Sequence, residues 1–108
     1  MTPAQQKMAD KMPESALQEA VQQRCDALGL LWYHVNDSRR DNPGMPDLIV
    51  VGTTTVFVEL KSMRGRLRPE QDTFMTALQD SGQQVLLWRP EHLFDGAIDR
   101  TLRAIAKK

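Results

Sequence analysis

The chain has 108 residues, 41% of them hydrophobic, and its fourteen Lys plus Arg balance fourteen Asp plus Glu. That length holds one modest core and no second domain of ordinary size, and zero net charge excludes recognition of nucleic acid or an anionic membrane by bulk electrostatics, so local charge has to decide. The single cysteine, Cys25, excludes an internal disulfide, and no N-terminal apolar stretch reads as a signal peptide or spanning helix, so a soluble, cytoplasmic, non-secreted protein is expected.

Residues 1–12 are polar with little apolar periodicity and read as a flexible arm or a short pairing segment, ahead of one domain over residues 13–108. From Pro13 to Leu28 the residues Leu17, Val21, Cys25 and Leu28 recur at helical spacing, with Pro13 suited to a first turn and Gly29 to a stop. Leu30–Val35 then suits a strand. Asn36–Pro46, with two prolines, a glycine and the pair Arg39 and Arg40, reads as a long polar loop. Leu48–Val51 and Thr55–Lys61 form an antiparallel hairpin through Gly52-Thr53-Thr54.

Pro69 opens a helix with an apolar stripe of Phe74, Met75 and Leu78, and Gly82 closes it. Val85–Trp88 is a continuous apolar strand, and beyond Pro90 the residues Phe94, Ala97, Ile98, Leu102 and Ile105 keep a helical period as one last helix. The order αβββαβα, with a helix between the last two strands, favours a parallel crossover. An α/β fold, a mixed sheet flanked by helices, follows.

Chemistry concentrates where the hairpin strands meet. Asp47 heads one apolar run, and Glu59-Leu60-Lys61 ends the next. Alternate side chains of a strand share a face, so Glu59 and Lys61 are neighbours. The eleven residues between Asp47 and Glu59 allow the hairpin to bring the two carboxylates to one edge of the sheet. Their repulsion, about 4 kcal/mol at about 4 Å near a surface, is relieved by a bound dication. Mg²⁺ takes one or two carboxylates together with waters and phosphate oxygens, which Asp47 and Glu59 supply. Lys61 then orients or deprotonates the attacking water, or offsets charge developing on the phosphate. The bland alternative is a solvated strand face, since a Glu-x-Lys triplet arises by chance in roughly a third of chains this long. Asp47, its Gly44-Met45-Pro46 turn and the element order weigh against chance.

At about 100° per residue, Glu14 falls between Val21 and Cys25 on the first long helix, facing the sheet, with Gln18 bordering that stripe and Glu19 opposite. Complementing the helix dipole would equally explain an acid there. Gln71 lies one turn before Phe74 and Met75 on an inward face, as a phosphate or water ligand or as a structural amide. Lys61, Arg64, Arg66 and Arg68 fall within eight residues that contain no acid, a strip suited to phosphate contact. Arg39 and Arg40 offer a second contact or a solvated loop. His34, His92 and Cys25 lack the spacing of a zinc site and read as structural.

The blocks Glu14-Ser15-Ala16-Leu17-Gln18, Gly44-Met45-Pro46-Asp47-Leu48, Val58-Glu59-Leu60-Lys61 and Arg68-Pro69-Glu70-Gln71 together resemble the phage-type, stand-alone VRR-NUC domains, a branch of the PD-(D/E)xK nuclease superfamily with a restriction-endonuclease-like core. The resemblance spans nearly all of Pro13 to Pro90. It implies acidic site residues Glu14, Asp47 and Glu59, a catalytic Lys61, an auxiliary Gln71, the main-chain carbonyl of Leu60 as a metal ligand, and phosphodiester hydrolysis supported by Mg²⁺ or Mn²⁺. It also implies a homodimer acting on branched DNA such as four-way junctions, two sites cutting two strands symmetrically. The final helix and the N-terminal arm are the candidate dimer surfaces. A non-catalytic DNA-binding module, or a nuclease subunit active only with a helicase or recombinase partner, is the competing expectation.

Overall fold

The computed structural model describes residues 1–35 and 43–106. Its elements are α1 (Pro3–Lys11), α2 (Glu14–Ala27), β1 (Leu31–His34), β2 (Leu48–Val51), β3 (Thr55–Leu60), α3 (Pro69–Asp80), β4 (Gln84–Trp88), α4 (Glu91–Phe94) and α5 (Ala97–Ala106). Four strands form one sheet in the order β1-β2-β3-β4. β1–β2 and β2–β3 are antiparallel, while β3–β4 is parallel, because α3 carries the chain across the sheet before β4 begins. The expected mixed α/β sheet flanked by helices is observed.

Strand alternation sorts the sheet into two faces. Leu48, Val50, Val56, Val58 and Leu60 point to one side and are almost wholly buried with Leu17, Val21 and Cys25 of α2 and Ile98, Leu102 and Ile105 of α5. Each such aliphatic side chain contributes about 1.5–3 kcal/mol by leaving water, so this layer fixes the register of the hairpin. A one-residue slip would turn all five strand residues away from the helices. The opposite face carries Ile49, Phe57, Glu59 and Leu87, and α3 packs on that side at β4.

Two elements differ from expectation. Residues 1–12, read as an arm, contain helix α1, which packs against α4. Its core contact is the small Ala9, which leaves no apolar period to read. The legible signal was the capping box. Gln5 N–H donates to Thr2 Oγ1 at 3.1 Å, and Thr2 N–H donates to Gln5 Oε1 at 2.9 Å, ahead of Pro3 in the first turn. The last helix, read as continuous from Phe94, is divided. Gly96 sits at φ 86°, and Asp95 Oδ1 accepts the Ala97 N–H at 2.9 Å to start α5 afresh. The loop arginines Arg39 and Arg40, and the basic end Lys107-Lys108, lie outside the described residues.

Among the described residues, no helix is long and apolar enough to cross a membrane.

Candidate active site

The hairpin register aligns Leu48 with Val58, so Asp47, one step earlier, stands opposite Glu59. Asp47 Oδ2 accepts the main-chain N–H of Leu60 at 2.8 Å, which holds the carboxylate across the strand. The turn that delivers it is tightly constrained. Gly44 is buried at φ 91°, and a Cβ there would lie 2.2 Å from the Glu70 carbonyl oxygen. The close approach locks the Asp47 turn against the first turn of α3.

Glu59 is only 1% exposed. Its Oε2 accepts from Gln71 Nε2 at 2.8 Å and lies 3.9 Å from Lys61 Nζ. Its Oε1, buried as well, has no hydrogen-bond partner among the described residues. Burial pushes the Glu59 carboxyl up to about 8; the charge of Asp47 and a hydrogen bond shared with it add to the rise, Lys61 opposes it, and Glu14 adds a further upward push. Two carboxyl groups that face one another repel when both are charged, so the arrangement favours a proton or a cation between them.

Gln71 joins α3 to this centre, since its side-chain oxygen also accepts the Arg68 N–H at 2.8 Å. The amide is thus structural at one end and directed at the carboxylate at the other. Lys61 is 8% exposed, and its main-chain N–H donates to the Trp88 carbonyl at 3.1 Å, continuing the β3–β4 pairing. Leu60, between them, buries its side chain in the core.

The remaining residues divide. Glu14 is the first residue of α2 and is exposed rather than tucked under the sheet, yet its charge is felt at Glu59. Gln18 is partly exposed one turn further on. Arg64 and Arg66 are exposed, and Arg68 lies 3.9 Å from Glu70. Among the described residues no three His, Cys, Asp or Glu side chains converge on one point. The structure thus brings together Asp47, Glu59, Lys61 and Gln71, with Glu14 at the margin. His92 Nδ1 accepts the Arg89 N–H at 2.8 Å, a structural role. Cys25 is buried, its thiol pushed up to about 11 by desolvation.

Arg89 was missed from sequence. One arm of its guanidinium donates to the carbonyls of Ser62 and Gly65, both at 2.7 Å, with Met63 at 3.5 Å. It clasps the loop that leaves Lys61 and carries Arg64. A cation just after an apolar strand that pairs with the lysine-bearing strand is the only signal the sequence carries for it.

The donor set suits a hard divalent ion. Asp47 and Glu59 supply carboxylate oxygens, one of them buried and without a partner among the described residues, and Lys61 limits the negative charge that accumulates. A mixed sheet bearing this cluster where β2 and β3 meet is the architecture of a nuclease-like domain. Residues 2–89 match the VRR-NUC domain, and the chain belongs to that family. The match runs from the cap of α1 through Arg89. No curated protein matches the chain significantly.

Proposed function

We propose that this protein is a metal-dependent, structure-selective DNA endonuclease that hydrolyses phosphodiester bonds in branched DNA such as four-way junctions. The observation that carries the reading is Glu59, buried opposite Asp47 with an oxygen that no donor among the described residues satisfies, beside Lys61 at 3.9 Å. Asp47 and Glu59 would hold Mg²⁺ or Mn²⁺, with the Leu60 carbonyl and Glu14 as further donors. The ion, when bound, polarises the scissile phosphate and lowers the pKa of attacking water.

The chain's own residues account for the rest. The Asp47–Leu60 hydrogen bond and the Gln71–Glu59 hydrogen bond hold both carboxylates in place before substrate arrives. Lys61 orients the water or offsets charge on the phosphoryl oxygens. Arg64 and Arg66 contact neighbouring phosphates, and Arg39, Arg40, Arg68 and Gln18 extend that contact. A two-fold pair of such chains cuts two strands symmetrically.

Cleavage of a labelled four-way junction, beside linear duplex and flap controls, with Mg²⁺, Mn²⁺ or chelator, tests the proposal. Paired, metal-dependent nicks that Lys61→Ala abolishes are expected. Tight junction binding without cutting of any substrate would replace this reading with a binding module or a partner-dependent nuclease subunit.

A further inference from the structure

The two-fold pair invoked above needs a surface, and the two elements whose sequence suggested one are occupied. The apolar residues of α5, Ile98, Leu102 and Ile105, are buried in the core, and α1 packs on α4. Met1 and Met8 are exposed at the N-terminal end, but the other exposed large apolar residues gather around β1. Among the described residues β1 is an edge strand, bonded to β2 alone. Leu31 is 73% exposed and Tyr33 62%, both on the face that carries Glu59, and the adjacent Val51 of β2 is 40% exposed. On the opposite face Trp32 is 36% exposed, its indole held by a 2.8 Å hydrogen bond from Nε1 to Asp26 Oδ1.

Edge strands of soluble proteins are ordinarily protected by charge, proline or a bulge. Leu31-Trp32-Tyr33-His34 has no Lys, Arg, Asp, Glu or Pro. The other edge strand, β4, has no large apolar residue among the exposed ones. The lack of Lys or Arg on β1 argues against a phosphate backbone as its partner.

We propose that β1 pairs antiparallel with β1 of a second copy, across a two-fold axis through Trp32, to form one continuous eight-stranded sheet. A two-fold axis normal to the sheet keeps each face on its own side, and opposed residues of an antiparallel pair share a face. The register must therefore place a residue opposite itself or opposite one an even number of positions away. Centring on Trp32 sets Leu31 of each copy opposite Tyr33 of the other, and joins the two most exposed apolar side chains of the strand. The two pre-positioned indoles then meet at the centre, where such anchors contribute most. Covering Leu28, Leu31, Trp32, Tyr33 and Val51 in both copies removes on the order of 1,000 Å² from water, the lower limit for a specific interface. The arrangement leaves both sets of Asp47, Glu59 and Lys61 on the same face of the joined sheet, which deepens the proposed two-strand cutting.

Sedimentation of the full chain over a wide range of concentration tests this without any cleavage, so failure of the nuclease reading leaves the result intact. The wild type is expected to be a dimer. L31K and Y33E each weaken it on the order of a hundredfold, since the axis counts every change twice. Far-UV circular dichroism confirms the fold, because both side chains are exposed. The double variant L31K/Y33E restores dimerisation, as the ammonium introduced at one position then faces the carboxylate introduced at the other, once on each side of the axis. A wild type that is monomeric throughout, or a dimer indifferent to both single changes, overturns the proposal. A double variant as weak as the single ones overturns the Trp32-centred register.

Discussion

Gln71 and Glu59 are joined by a 2.8 Å hydrogen bond between residues that are 4% and 1% exposed. The first turn of α3 and the buried carboxylate therefore form one mechanical unit. Gln71→Ala leaves both the Glu59 oxygen and the Arg68 N–H short of a partner, at a cost of about 1–3 kcal/mol in urea unfolding. The carboxylate loses its fixed orientation too, so cleavage should fall about 10–100-fold, as for residues that orient metal ligands. Unchanged stability and activity would show the amide to be incidental.

Glu59→Gln keeps the shape of the side chain and removes the charge that burial disfavours. The metal-free variant should match wild type below about pH 4.5 and become progressively the more stable as pH rises toward about 8, because only the wild type must keep a proton that its unfolded chain releases. Mg²⁺ at about 100 times its dissociation constant should raise wild-type stability by about 2.7 kcal/mol and do nothing for the variant. Thermal unfolding at several metal concentrations reads both effects. Cutting should be abolished in the same variant.

The pH dependence has a fixed sign. Because the folded carboxyl of Glu59 is raised from 4.5 to about 8, the native state holds a proton that the unfolded chain releases between those values. The metal-free protein therefore loses stability as pH rises from about 4.5 to about 8. A divalent ion displaces that proton, so metal affinity should climb with pH through the same interval and level off near its upper end. Calorimetric titration in two buffers of different ionisation enthalpy would count the proton released. No release at pH 6 would contradict the assignment.

Much of this centre was readable from residues alone, because strand alternation and hairpin length fix which side chains face one another. Asp47 opposite Glu59, and Lys61 beside it, follow from the register that the buried Leu48, Val50, Val56 and Val58 impose. Less legible were contacts made by main chain or by long reach. Helix periodicity set Glu14 on the inner stripe, but as the first residue of α2 it precedes the part of the helix that packs on the sheet. Nothing local marks Arg89, whose partners are carbonyls more than twenty positions earlier. Helix α1 escaped because its burial rests on one alanine.

Gly44 predicts a site defect from a residue with no functional group. Alanine at φ 91°, with its Cβ 2.2 Å from a carbonyl oxygen of α3, must move the Asp47 turn or the helix. A loss of about 2–4 kcal/mol is expected, together with weaker metal binding. Gly82 is the control. It has φ 92° but open space around it, so Gly82→Ala should cost only about 1 kcal/mol and leave metal binding unchanged. Equal effects at the two positions would show that backbone conformation alone, and not the contact with α3, matters at Gly44.

Arg89 separates positioning of the lysine loop from binding of DNA. Its guanidinium donates to the carbonyls of Ser62 and Gly65, and charge-assisted bonds of this kind contribute about 1.5–3 kcal/mol each at most. Arg89→Gln frees the segment between Lys61 and Arg66, and cleavage at saturating junction DNA should fall about tenfold or more. Because Arg89 is engaged with carbonyls rather than phosphate, the salt dependence of junction binding should keep its slope. Arg64→Ala and Arg66→Ala should do the reverse, each reducing that slope by about one while leaving the saturated rate near wild type. If Arg89→Gln lowers the salt slope and spares the saturated rate, the arginine belongs to the DNA-binding surface rather than to the support of Lys61.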